Sequence, residues 1–141
     1  MYDGATWVQM AAIGGWTAWT PTTSGITLGT GGTITGAYNR TGKKVEFYLK
    51  ATFGTAPSFA SPTLTMPIGT MASRVNALGT LLRGSSPYMW FLHGVSGGTT
   101  ALVTMPSASW ATAGSNGGTT NTLFAPLSGD VLDISGWYVT T

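Results

Sequence analysis

The chain has 141 residues, the size of one domain with a core of its own. Only 7% of them are charged, against about 25% in an average soluble domain, and 43% are hydrophobic. Solubility must therefore come from hydroxyls and glycine, or from surface hidden against other copies or a larger assembly. Six Lys and Arg against four Asp and Glu exclude the clustered basic excess of a nucleic-acid binder, and the lack of cysteine excludes a disulfide scaffold and thiolate metal sites.

Met1 to Gly15 reads as a short arm ending in a hinge at Gly14 and Gly15, with Trp7 and Ile13 as apolar residues that need a partner surface. Met1 to Gly4 lacks the basic start and apolar run of a secretory signal. The longest strongly apolar run, Tyr88 to Leu92, falls far short of the roughly 20 residues of a membrane helix, so no membrane insertion is expected. Trp16 and Trp19 lie on opposite sides of an extended segment, one ring for the core and one to cover a neighbour. Gly25 to Gly32 is a flexible turn.

Thr33 to Phe53 carries the clearest pattern. Val45, Phe47, Leu49, Ala51 and Phe53 alternate with Lys44, Glu46, Tyr48, Lys50 and Thr52, which predicts a strand with one buried and one wetted face. With Thr33 to Tyr38 it makes a β-hairpin turning across Asn39 to Lys43. Ala56 to Ser58 and Ser61-Pro62 read as loop, and Leu64 to Ile68 as a short strand that Pro67 limits to an edge or an end. Val75 to Arg83 reads as a strand with a bulge at Gly79. Tyr88 to His93 is apolar on both faces, as suits a strand buried in a core on one side and in a subunit contact on the other. Thr100 to Met105 is a further strand, Ala113 to Thr120 a polar loop, and Val131 to Thr140 the strand that closes the sheet. Twenty-one Gly and seven Pro, spaced at about 8–12 residues, fit an all-β domain. The expected fold is one antiparallel β-sandwich or jelly roll over residues 16–141, preceded by the arm 1–15.

Several of these segments together resemble a β-rich module of phage tail fibres and minor tail proteins. They are Trp16, Trp19, Thr20 and Pro21; Gly31 to Phe47 with Tyr38, Arg40, Gly42, Lys43 and Val45; Phe53-Gly54; Leu64 to Ile68; and Gly129 to Tyr138. The module's pattern is approximately W-x-x-[WY]-T-P, then G-x-[IV]-x-[GA]-x-Y-x-R-x-G-[KR]-x-V, F-G, L-x-[LM]-P and G-D-x-[LI]-x-[IV]-[SE]-G-x-[YW]. The resemblance implies a jelly-roll-like sandwich acting as a homotrimer on a virion surface, assembled in the host cytoplasm, with no reaction assigned. In fibres a long anchoring chain precedes the module. Here fifteen residues do, which shifts the expectation toward a small decoration protein that binds major capsid or tail proteins directly. The alternative is a receptor-binding tail module that presents loops such as Ser85 to Pro87 or Ala113 to Thr120 to a host cell-surface glycan or protein.

Catalytic, cofactor and metal sites are not expected. Asp130 and Asp133 are three apart, which on a strand puts them on opposite faces, and Asp130 after Ser128-Gly129 suits a turn. His93 is the one histidine, so no multi-histidine site forms within one chain, and a packed, hydrogen-bonded ring is its expected state. Arg40, Lys43, Lys44 and Lys50, with Glu46 among them, form a modest basic cluster on an outer face. Asn39-Arg40-Thr41 fits a glycosylation acceptor only by chance in a tight turn. Candidate subunit contacts are Trp7, Ile13, Tyr88, Trp90 and Trp137; candidate ligand contacts are Tyr48, Lys44, Lys50 and Trp110.

Overall fold

Alternation in residues 33–53 becomes a hairpin. In the computed structural model, which describes residues 15–104 and 126–141, β3 (Thr33–Thr41) and β4 (Lys44–Thr52) pair without interruption from Thr33 opposite Thr52 to Thr41 opposite Lys44. The turn is tighter than the five residues read from the sequence. Only Gly42 and Lys43 lie outside the strands, and Gly42 has φ 60°, as the first loop residue of a type II′ turn requires. Such a turn matches the twist of the flanking strands, so Asn39 and Arg40 stay in the ladder. Val45, Phe47, Leu49 and Ala51 are buried on one face of β4, with Phe53 just beyond it, while Lys44, Tyr48 and Lys50 are exposed on the other.

The remaining strands are β1 (Thr17–Trp19), β2 (Thr23–Thr27), β5 (Ser58–Thr65), β6 (Val75–Arg83), β7 (Ser86–Gly94), β8 (Thr100–Thr104) and β9 (Val131–Val139). All the described strands pair antiparallel in one sheet of order β1-β3-β4-β9-β6-β7-β8-β5-β2. Only Thr20, Pro21 and Thr22 join β1 to β2, the two ends of that order, so the sheet curls until its ends lie within about 14 Å of each other. The all-β, antiparallel class expected from the sequence is the class observed, built as one continuous curled sheet.

One core fills the inside of the curl. Phe47, Leu49, Phe53, Leu64, Leu81, Trp90, Leu92, Leu132, Ile134 and Tyr138 belong to it. Phe59 of β5 lies edge-on to both Phe53 and Trp90, its ring centre 5.3 Å from each, so strands far apart in the sheet order meet across the core. Trp19 closes the β1 end with its ring 6.1 Å from Phe47.

Three local expectations are corrected. Ser61 and Pro62 lie within β5 and not in a loop. The strand accommodates them because it is irregular there: Ser61 has φ 53°, the register against β2 shifts between Ser24 and Ile26, and pairing with β8 begins only at Thr63. Gly79 carries no bulge, since β6 pairs with β7 in unbroken register from Val75 to Arg83. A side chain at Gly79 would strike Ile134 of β9, so its role is close approach. Finally, β9 does not close an edge. It lies between β4 and β6 and joins the two halves of the sheet.

Phe47 and Tyr48, adjacent in sequence but on opposite faces, provide a direct check. Urea unfolding should show Phe47→Ala destabilised by about 3–5 kcal/mol and Tyr48→Ser by less than about 1 kcal/mol; similar costs for both would contradict the face assignment.

Candidate functional site

Large apolar side chains in the described residues gather on the outside of the curl as well as inside it. On the outward face of β4, β9, β6 and β7, Tyr48 is 47% exposed, Trp137 55%, and Leu78 and Met89 59% each. Leu82 lies on the same face of β6, and Trp16, leading into β1, sets its ring 5.2 Å from that of Tyr48. Sheet register explains the gathering. Tyr48 and Leu78 both stand opposite Ser135 of β9, Thr80 stands between Asp133 and Met89, and Lys50 stands opposite Asp133. Small residues thus lie between tall ones, leaving an open groove of about 600 Å³ walled by Tyr48, Leu78, Pro87 and Met89, with Thr80, Asp133 and Ser135 also lining it.

Charges on this face are few and largely balanced. Lys44 Nζ lies 2.7 Å from Glu46 Oε1 and 5.5 Å from the centre of the Trp137 ring, an arrangement in which both aromatic face and carboxylate hold the ammonium. Both partners are half exposed, so the ion pair contributes only a few tenths of a kcal/mol.

The sequence-derived candidates divide accordingly. Tyr48, Lys44, Lys50 and Trp137 share the outward face. Trp90 is corrected: it is 2% exposed and points into the core, where Tyr88 also packs, because odd and even positions of β7 face opposite ways. The outward residues of that strand are Pro87, Met89, Phe91 and His93; Pro87, expected in a loop with Ser85 and Ser86, is part of β7 together with Ser86, and Met89 and Phe91 are not among the candidates read from the sequence. Trp7, Ile13 and Trp110 lie outside the described residues. His93 is half-buried on β7, opposite Asn76 and Leu102.

Acidic residues take separate roles. Asp133 is exposed on the outward face, whereas Asp130 is buried just before β9, so the two do not converge. Asp130 does more than shape a turn. Its carboxylate accepts hydrogen bonds from Arg83 Nη2 at 2.7 Å, from Arg83 Nε at 3.1 and 3.2 Å, and from the Leu127 amide at 2.9 Å. Its carbonyl accepts from the Phe53 amide at 2.9 Å, tying the ends of β4 and β6 to the start of β9. The hydrogen bond to Asp130 pushes the Arg83 guanidinium further above its already high value, against the opposing effect of desolvation. Nothing in sequence spacing marks this pair, since its members are 47 residues apart. Among the described residues, no group of three His, Cys, Asp or Glu side chains could hold a metal ion, and no helix is long and apolar enough to cross a membrane.

Among the described residues, Tyr138 is the other buried titratable group. Its hydroxyl donates to the Ile68 carbonyl at 2.7 Å and accepts from the Ile68 amide at 3.1 Å, pinning the segment between β5 and β6. Burial raises its pKa above the ordinary phenol value, and the hydrogen bond with Ile68 works the other way.

No protein-family model, curated protein or solved structure matches the chain.

Two substitutions test these buried groups. Asp130→Asn should cost about 1–3 kcal/mol in urea unfolding, because it leaves Arg83 without its carboxylate while an amide can still serve Leu127; Glu46→Gln should cost less than about 0.5 kcal/mol. Tyr138→Phe should cost about 1–2 kcal/mol at neutral pH. Above about pH 10 the unfolded phenol ionises while the folded one stays neutral, so this stabilisation is fully present below that pH and is lost as pH rises through the raised value. The gap between wild type and Tyr138→Phe should therefore hold steady up to about pH 10 and narrow above it, and a gap that widened would contradict the burial of a neutral phenol.

Proposed function

We propose that the chain is a non-enzymatic structural module of a bacteriophage particle. It acts as a trimeric surface protein that decorates and stabilises the particle by burying apolar surface against capsid or tail subunits. The observation that carries this reading is the outward face itself. Six large apolar residues, Trp16, Tyr48, Leu78, Leu82, Met89 and Trp137, stand in water on one side of a domain whose charge content is 7%. Monomeric domains seldom expose contiguous apolar patches larger than about 300–600 Å², and larger ones mark contact surfaces. A rigid sheet with such a face suits permanent contact with other subunits, where each neighbour bound to the folded state alone raises its stability by mass action. The particle and the threefold state come from the motif resemblance in Trp16 to Pro21, Gly31 to Phe47 and Gly129 to Tyr138.

A second reading, a tail module that recognises a host cell-surface glycan or protein, draws on the same face. Tyr48 and Trp137 offer ring surfaces, and Thr80, Asp133 and Ser135 in the groove offer hydrogen-bonding groups. Imaging of purified particles that carry the protein separates the two. Density in a regular array on the head or along the tail tube is the expected result for a decorating module, density confined to the tail end favours receptor recognition, and absence from particles overturns both.

A further inference from the structure

We infer that the outward face of β4, β9, β6 and β7 is the surface through which copies of this chain join, so that its first occupant is a second copy of the same chain. This rests on the structural-module reading above and names the surface and partner for it.

Continuity of the patch is the first support. Trp16 touches Tyr48. Tyr48 and Leu78 flank Ser135, and Trp137, two residues on in β9, lies diagonal to both. Met89 lies diagonal to Leu78 on one side and to Leu82 on the other. Diagonal neighbours on one sheet face are about 7–8 Å apart, within reach for side chains of this size, so the six form one uninterrupted surface.

Area is the second. The exposures of these six residues together amount to roughly 700 Å², close to the about 800 Å² that each partner contributes to a stable interface.

Charge is the third. The ionised groups on this stretch, among the described residues, are Lys44, Glu46, Lys50 and Asp133. Lys44 and Glu46 pair with each other. Lys50 and Asp133 are of opposite sign and directly opposite in register. The face is thus formally neutral, with both signs side by side, and one copy does not repel another. A partner recognised by charge would need an excess of one sign, which this face lacks.

The test uses the full chain. Sedimentation or light scattering across micromolar concentrations should find the wild type assembled, and Leu78→Lys with Met89→Lys dissociated, the association weakened about 100-fold or more. Both positions are exposed, so thermal melting should show both proteins folded. Leu78→Met with Met89→Leu should restore assembly. Because the chain has no cysteine, the thiol introduced by Ser135→Cys gives a second readout that leaves the apolar side chains in place. Its reaction with a bulky maleimide should slow about tenfold or more as the protein assembles. An assembled wild type whose double-lysine variant assembles equally well, or an assembled Ser135→Cys protein labelled at the monomer's rate, overturns the choice of face and leaves the structural-module reading standing. A wild type that stays monomeric throughout overturns self-association itself, and particle imaging then judges the structural reading on its own.

Discussion

Crowding on the inside of a curled sheet is the constraint from which the rest follows. Side chains on the inner face converge toward one another, and at several places the strands meet this by setting glycine or alanine against a large residue. Gly136 of β9 stands opposite Phe47, in a position where a side chain would strike Ala77. Gly36 lies under the Trp19 ring, Gly79 against Ile134, and Gly94 against Met71. Each pairing of small with large keeps the core filled at native density without forcing strands apart. A substitution at any of these positions meets the flanking core atoms, so overpacking is the failure the fold is built to avoid.

The same constraint bears on the outer face. On β6, Val75, Ala77, Gly79 and Leu81 face inward, and Leu78 and Leu82, which alternate with them, point outward. β7 follows the same rule, with Trp90 and Leu92 inside and Met89 outside. Hydrophobic residues on both faces of one strand leave one set in water unless another surface covers it, and that cost is what the proposed association would relieve. Low overall charge is consistent with this arrangement.

Local pattern was legible where one face of a strand differs chemically from the other. β4 shows this best: its four apolar residues alternate with polar ones, and all four are buried, as is Phe53 just beyond it. It failed where geometry depends on distant partners. Nothing within Ser58 to Thr65 signals that an irregular strand will take in Ser61 and Pro62, because a bulge is set jointly with β2, whose Gly25 leaves no room for a side chain beside Ala60. Gly79 reads as a break in sequence and is a regular ladder position in space. Trp137 of β9 shares its face with the polar Asp133 and Ser135 and lies outside, whereas β7 is apolar on both faces, so that only register fixes Trp90 inside. As for the outward face, its members lie on segments from Trp16 to Trp137, and only the sheet order brings them together.

That order also dictates when the face can exist. β9 lies between β4 and β6, pairing Lys44 with Val139 and Leu82 with Val131 across long stretches of chain. Such non-local pairing forms late, since loop closure must be offset before its contacts are gained. Until β9 inserts, β4 and β6 each present an unpaired edge, and Tyr48 and Leu78 are not yet flanking Ser135. Insertion joins the two halves, buries Leu132, Ile134 and Tyr138, and brings Trp137, Ser135 and Asp133 to the outward surface at once. The hairpins β3–β4 and β6–β7 form first in this scheme because their two-residue turns close the shortest loops. Completion of the core and completion of the outward face are therefore one event, so a half-folded chain does not carry the full apolar surface.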